Sequence, residues 1–187
     1  MTHNTKTIAG WLERIIGHEG GMSTRRDDPG NWTGGKIGVG ELVGTKWGIA
    51  ANTYGAAVKL PRGTVAIQDL TVEDAAYIYR RDYVRPLGLD RYGRAVAFQA
   101  LDFAVNGGLV SGIKRLQKAA GLTPDGVVGP LTRAKMAEYS EAQMVMLVLY
   151  ARLHYLTGLK NWPAAGRGWA RRVADNLLHG VRDTREA

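Results

Sequence analysis

The sequence predicts a mainly α fold with a small glycine-rich β-hairpin lobe near its start. Apolar residues recur at the 3.6-residue helical period along most of the chain. Between Asp27 and Ala50 that texture breaks, and Gly30, Gly34, Gly35, Gly38, Gly40, Gly44 and Gly48 crowd together. The turns between periodic segments are short and carry Gly or Pro, so the chain reads as packed helices rather than as strands or a linker-joined array.

Taken in order, Ile8, Trp11, Leu12, Ile15 and Ile16 set an amphipathic helix over residues 6–18. Gly20-Gly21 end it, because glycine tolerates the left-handed conformation that closes a helix. In the glycine-rich stretch, "KIGVGELVG" partly alternates, which suggests a hairpin or an irregular lobe. "TVEDAAYIYRRDYV" resumes the helical period, with Thr71 and Asp74 placed as a capping box. Further helices are expected at roughly 93–105, 109–120, 130–138, 141–158 and 167–180, parted by turns such as "NGG" and "TPDGVVGP". Pro130 suits the first turn of its helix. The organisation that results is a first region over 6–105 and a C-terminal helical region over 106–185, the latter either separate or integral to one globular domain.

Composition narrows the chemistry. The 187 residues contain no cysteine, which removes disulfides and thiolate metal sites, and the histidines show no HExxH-like spacing. No metal and no cofactor are therefore expected, and no phosphate-cradling glycine motif lies between a strand and a helix. The first residues lack the apolar core of a signal peptide, and "MVMLVLYA" is too short to cross a bilayer. A net charge of +8 favours a polyanionic partner. Dispersed arginines and the absence of a basic recognition motif argue against nucleic acid.

The stretch "HEGGMSTRRDDPGNW" holds the acids that matter. Glu19 continues the apolar stripe of the first helix, at i+4 from Ile15 and i+3 from Ile16. Partial burial and the negative end of the helix dipole would both favour a carboxyl that keeps its proton near neutral pH, as a general acid must. The plainer reading is a solvated glutamate at a frayed helix end. Asp27-Asp28-Pro29-Gly30 is a turn signature in its own right, yet a loop returning from a helix end can set an aspartate across from the glutamate. Two carboxylates flanking a gap are the minimum equipment for glycoside hydrolysis.

At these residues the chain resembles a known family. "HEGGM", "DDPGNW" and "GTKWGIAANTYG" resemble the opening motifs of the muramidases of glycoside hydrolase family 108, the cell-wall lysins of phages and prophages. "ALDFAVNGGLVSGIKRLQKAAGLTPDGVVGPLT", "LYARLHYLTGL" and "GRGWARRV" are similar to the peptidoglycan-binding region usually paired with it. The resemblance implies a lysozyme-like helical fold with residues 6–105 as the catalytic region. It implies Glu19 as general acid, Asp28 as base or electrostatic stabiliser, and Thr45 as the residue that orients water. Asp27 and Glu41 rival Asp28, and Thr33 rivals Thr45. The sequence departs from the family pattern at Met22, where an aromatic is usual, at "DPGN" in place of "DPGG", and in a glycine-rich insertion before Thr45.

Trp32 and Tyr54 would line the glycan cleft, because sugar rings present apolar faces to aromatics; both suit the core of the small lobe equally. Trp47 alternates with Ile49, which favours a core position. Asn106 in "FAVNGG" is a helix-end residue that in the resemblance faces the cleft, where its amide would bind an N-acetyl group. "TPDGVVGPLT" would either bind the wall or pack against the catalytic part. In the last helix Trp169, Val173, Leu177 and Val181 form one stripe, with Arg171, Arg172 and Arg182 off it. That stripe would pack on the core, or meet an anionic outer membrane.

The expected activity is a cofactor-free, monomeric N-acetylmuramidase whose partner is peptidoglycan. It would be made in the bacterial cytoplasm and released to the wall through a holin. A lytic transglycosylase, which needs only Glu19, and a non-catalytic wall-binding or lysis-regulating protein are the competing readings.

Overall fold

Helix α1 (Thr5–Ile16) turns one face inward, and Ile8, Trp11, Leu12 and Ile15 on it are buried. The computed structural model describes residues 5–16 and 21–185, and they divide into two compact units that part between Arg80 and Arg81. The boundary drawn near residue 105 from sequence falls inside a helix of the second unit. Glu19, Gly20 and the expected end of the first helix at 17–18 lie outside the described residues.

In the first unit, α1 packs against α3 (Val72–Tyr79), whose Ala75, Ala76, Ile78 and Tyr79 are buried. Thr71 caps α3 as expected: its hydroxyl accepts from Asp74 N at 3.2 Å and Asp74 Oδ2 accepts from Thr71 N at 2.9 Å. Arg62 grips the same carboxylate through two nitrogens. The Arg62 hydrogen bonds, reinforced by the Thr71 cap, outweigh burial and hold Asp74 at about 2.

The β structure sits later than "KIGVGELVG" suggests. Gly35, Gly38, Gly40 and Gly44 have positive φ, so residues 33–41 make a run of turns and bends with no pleated ladder. The hairpins are β1 (Thr45–Lys46) with β2 (Ile49–Ala50), and β3 (Ala57–Leu60) with β4 (Gly63–Ala66). Both are antiparallel; Thr45 pairs with Ala50, and Leu60 with Gly63 around Pro61-Arg62. A one-turn helix, α2 (Ala51–Tyr54), joins them. Ile49, Val58, Leu60, Val65, Ile67 and Leu70 extend the core.

A π-helical turn (Arg80–Val84) and α4 (Arg85–Leu87) lead into the second unit. Its axis is α5 (Arg94–Gly107), buried without a break from Ala95 to Ala104, apolar on most of its surface but for Gln99 and Asp102. Around it lie α6 (Leu109–Ala119), α8 (Glu141–Thr157) and α9 (Trp162–Arg185); α7 (Pro130–Met136) follows the "TPDGVVGP" loop. Helix α9 begins five residues before the expected 167, because Pro163 sits in its first turn and Gly166 is a packing residue against the Trp162 ring. A Cβ on Gly112 or Gly180 would press on Ala104 or Val145, so these glycines set the close approach of α6 to α5 and of α9 to α8.

One acid organises this bundle. Asp102 on α5 is buried, and its carboxylate accepts from Arg152 on α8 and from Arg172 and Asn176 on α9, the last at 2.7 Å. Gln99, one turn earlier, donates to the Asn176 carbonyl at 2.9 Å. No helix among the described residues is long and apolar enough to cross a membrane.

Candidate active site

The loop after α1 is built around Asn31. Its side chain is fully buried, and Nδ2 donates to the Arg25 carbonyl at 3.0 Å. Its own carbonyl accepts from both Val43 and Gly44 N–H at 3.0 Å. Thus Asn31 ties the acidic turn to the strand segment that leads into Thr45. Its Oδ1 is buried with no partner among the described residues. Sequence reading noted this asparagine only as a departure from "DPGG"; its role depends on contacts 6 and 12 or 13 residues away, and no local period signals them.

Asp28 caps the short 3₁₀ turn Pro29–Asn31: its backbone is extended (φ −100°, ψ 113°) and Oδ1 accepts from Gly30 N at 2.8 Å. Among the described residues, Oδ2 of this exposed carboxylate has no donor. Asp27 is differently placed. Arg25 donates to both its oxygens, at 3.1 and 2.7 Å, and these bonds hold it below the usual carboxylate range. Of the two aspartates, Asp28 keeps an oxygen that has no donor among the described residues and Asp27 does not.

Thr45 lies in β1, where it exchanges two backbone hydrogen bonds with Ser23, each 2.9 Å, and pairs with Ala50. Among the described residues its hydroxyl has no partner, so it is free to hold a water. The hydroxyl of Thr33 accepts from Glu41 N at 2.9 Å and closes the neck of the glycine-rich excursion. The structure therefore brings Thr45 and the Asp28 turn together through Asn31, and engages Thr33 in holding the loop. Glu41 stands at the far side of that neck, exposed.

Trp32 is half-buried, its ring N–H donating to the Arg26 carbonyl at 3.0 Å, and it bridges Leu42 across the loop. Tyr54 ends α2, also half-buried. Trp47 is not the lobe core residue its alternation suggests. It sits half-exposed in the two-residue turn of the β1–β2 hairpin with φ +52°, followed by Gly48 at φ +74°, and its ring N–H donates to the Leu70 carbonyl at 3.3 Å. Two left-handed residues in succession fit a type I′ turn, whose twist matches the strands. A Cβ on Gly48 would strike the Tyr79 hydroxyl, which is why glycine takes the second place. Asn106 belongs to the second unit; it is exposed at the end of α5, where Nδ2 donates to the Asp102 carbonyl at 2.7 Å.

No group of His, Asp or Glu among the described residues has metal-binding geometry. What this loop offers is an exposed acid, a hydroxyl with no partner among the described residues, and half-buried aromatics on one braced scaffold.

Residues 12–108, just over half of the chain, match the family model described as Glycosyl hydrolase 108. Residues 102–136 match the model described as "Putative peptidoglycan binding domain". No curated protein matches. Among solved structures, that of SagA from Brucella abortus is similar at 28% identity and a TM-score of 0.74, over 97% of this chain and 98% of that one.

Proposed function

Because the chain belongs to the glycosyl hydrolase 108 family, and is a glycoside hydrolase acting on peptidoglycan, we propose that it is a muramidase of the endolysin type. It hydrolyses the β-1,4 bond between N-acetylmuramic acid and N-acetylglucosamine. Glu19 protonates the leaving glycosidic oxygen, Asp28 acts as base or steadies the oxocarbenium-like transition state, and Thr45 orients the attacking water. The observation that carries this reading is the Asn31 tie, which keeps the exposed carboxylate of Asp28 and the Thr45 hydroxyl on one scaffold. A water held for direct attack implies inversion at the anomeric carbon.

Mass spectrometry of muropeptides released from purified sacculi tests the reaction type. Hydrolysis leaves reducing muramic acid ends. A 1,6-anhydro product would replace the muramidase with a lytic transglycosylase that needs Glu19 alone, and no release at all would leave a wall-binding protein. Trp32, Tyr54 and Asn106 are the proposed glycan contacts. In this reading the catalytic region is 6–105 and the wall-binding region 106–185. The protein reaches the wall from the bacterial cytoplasm through a holin during phage or prophage lysis.

The C-terminal helix supports a second contact. Val173 is buried as a packing stripe requires, but Leu177, Leu178 and Val181 are 48%, 51% and 49% exposed, and Arg167, Arg171, Arg182 and Arg185 share the helix. An apolar strip beside arginines suits an anionic membrane surface. The full chain is expected to co-sediment with anionic vesicles and not with neutral ones, and to lose that binding when Leu178 and Val181 become Gln. Equal sedimentation of parent and variant would end the idea.

A further inference from the structure

Residues 121–129 join α6 to α7 without helix or strand, yet they are firmly held. Gln117 of α6 is buried, and the two hydrogens of its Nε2 are shared among Asp125 Oδ1 at 2.6 Å, the Val127 carbonyl at 3.0 Å and Thr132 Oγ1 at 3.1 Å. Its Oε1 accepts from Gly126 N at 2.9 Å. Asp125 Oδ1 also accepts from Val127 N at 2.8 Å. One amide thus meets its neighbours through both ends, and a satisfied buried network of this kind fixes the loop in one shape.

The shape it fixes turns aliphatic side chains outward. Val127 is 63% and Leu131 81% exposed, and Val110 on α6 is 57% exposed. Gly126 lies against Val110 and the Lys114 stem, so the loop at Gly126–Val127 is seated on this face of α6, and Leu131 follows in the first turn of α7. Lys118 stands one helical turn beyond Lys114 on the same face of α6. Single exposed apolar residues need no explanation, but a braced loop that displays a group of them marks a contact surface. Asp125, the acid of this loop, already uses Oδ1 to hold its shape.

The rim lies within the residues matched to a peptidoglycan-binding model. Peptidoglycan offers two chemistries. Its glycan presents sugar faces that stack on aromatic rings; its peptide stems present alanine methyls and free carboxylates. An aliphatic rim flanked by lysine ammonium groups complements the second. We propose that Val110, Val127 and Leu131, with Lys114 and Lys118, grip the peptide stem of peptidoglycan. The inference rests on peptidoglycan being the partner and not on the identity of the bond cut.

The test measures binding of the full chain, carrying Glu19→Gln throughout so that the glycan is not consumed, to two soluble fractions of one sacculus digest: stem peptides freed by an amidase, and the peptide-free glycan strands. Val127→Ser with Leu131→Ser is expected to weaken stem binding by about tenfold or more, the loss of two aliphatic contacts. Lys114→Gln should weaken it further in low salt than in high salt. Leu131→Met, which keeps an apolar contact, should bind like the parent. Affinity for glycan strands should stay put in every variant. Unchanged stem binding in the Ser pair would overturn the proposal, as would an equal loss on both fractions. Since no turnover is read, a failed product analysis would leave this result standing, and the reverse holds too.

Discussion

Glu19→Gln is expected to lower hydrolysis of purified sacculi by about 10²–10⁴-fold at neutral pH, the usual worth of a positioned general acid. The amide has the carboxyl's size and cannot deliver a proton to the leaving oxygen, so wall binding should persist while cleavage stops. The position follows from the period of the first helix. Ile8, Trp11, Leu12 and Ile15 are its buried stripe, and Glu19 is the next member of that stripe in sequence. The expectation rests on this spacing in the sequence alone, since Glu19 lies outside the described residues: a carboxyl sheltered in that line would keep its proton near neutral pH. A rate within a few-fold of the parent would remove Glu19 from the mechanism. Asp28→Asn and Thr45→Val, assayed alongside, separate the water-handling step: both should slow release of reducing ends, whereas a transglycosylase would tolerate both.

The largest stability effect should come from Asp102→Asn, which is expected to cost about 3–5 kcal/mol, read as a fall in the urea midpoint. The substitution removes the anion between two cations. Arg172 is 32% exposed in its side chain and can turn toward water; Arg152, at 4%, cannot. The penalty therefore lies mainly in stranding Arg152. Replacing Asp102 by Leu and Arg152 by Met together should recover stability relative to either single change, because a buried ion pair costs desolvation that apolar side chains do not. Acid should mimic the first substitution. Burial pushes the Asp102 carboxyl upward, but hydrogen bonds and charge from Arg172 and Arg152 outweigh it and hold it below the ordinary carboxylate range. A group depressed in the folded state contributes fully above its unfolded value, about 3.9 for Asp. Its contribution then fades as pH falls through the folded value, so the loss belongs below about pH 4. A parent and an Asp102→Asn protein with the same acid unfolding curve would refute the assignment.

Local patterns were legible and long-range ones were not. The stripe on α1 and the Thr71–Asp74 cap are written in spacings of three and four residues, and both stand in the structure. Asp102, Arg152, Arg172 and Asn176 are spread over 74 residues, and no window shows that they share a hydrogen-bond cluster. Gly166 and Gly180 are close-packing positions, against Trp162 and Val145, and no helical period announces that role. The glycine-rich lobe between Asp27 and Ala50 holds a hairpin at its end, at Thr45–Ala50, while the partial alternation of "KIGVGELVG" is interrupted by left-handed glycines and forms turns. Of the acidic loop, the sequence marked Asp28 and Thr45 but not Asn31. A buried asparagine has no period, and only its contacts reveal it.

The glycine-rich excursion has a closed neck. Thr33 and Glu41 exchange hydrogen bonds across it, Trp32 bridges Leu42, and Asn31 clasps Val43 and Gly44 just outside. Everything between 34 and 40 therefore hangs from a fastened collar, and its length is decoupled from the spacing of Asp28 and Thr45. The appendage can be lengthened, shortened or redecorated while Asp28 and Thr45 stay in register. It is the natural place to graft a new wall-recognition tip onto the enzyme.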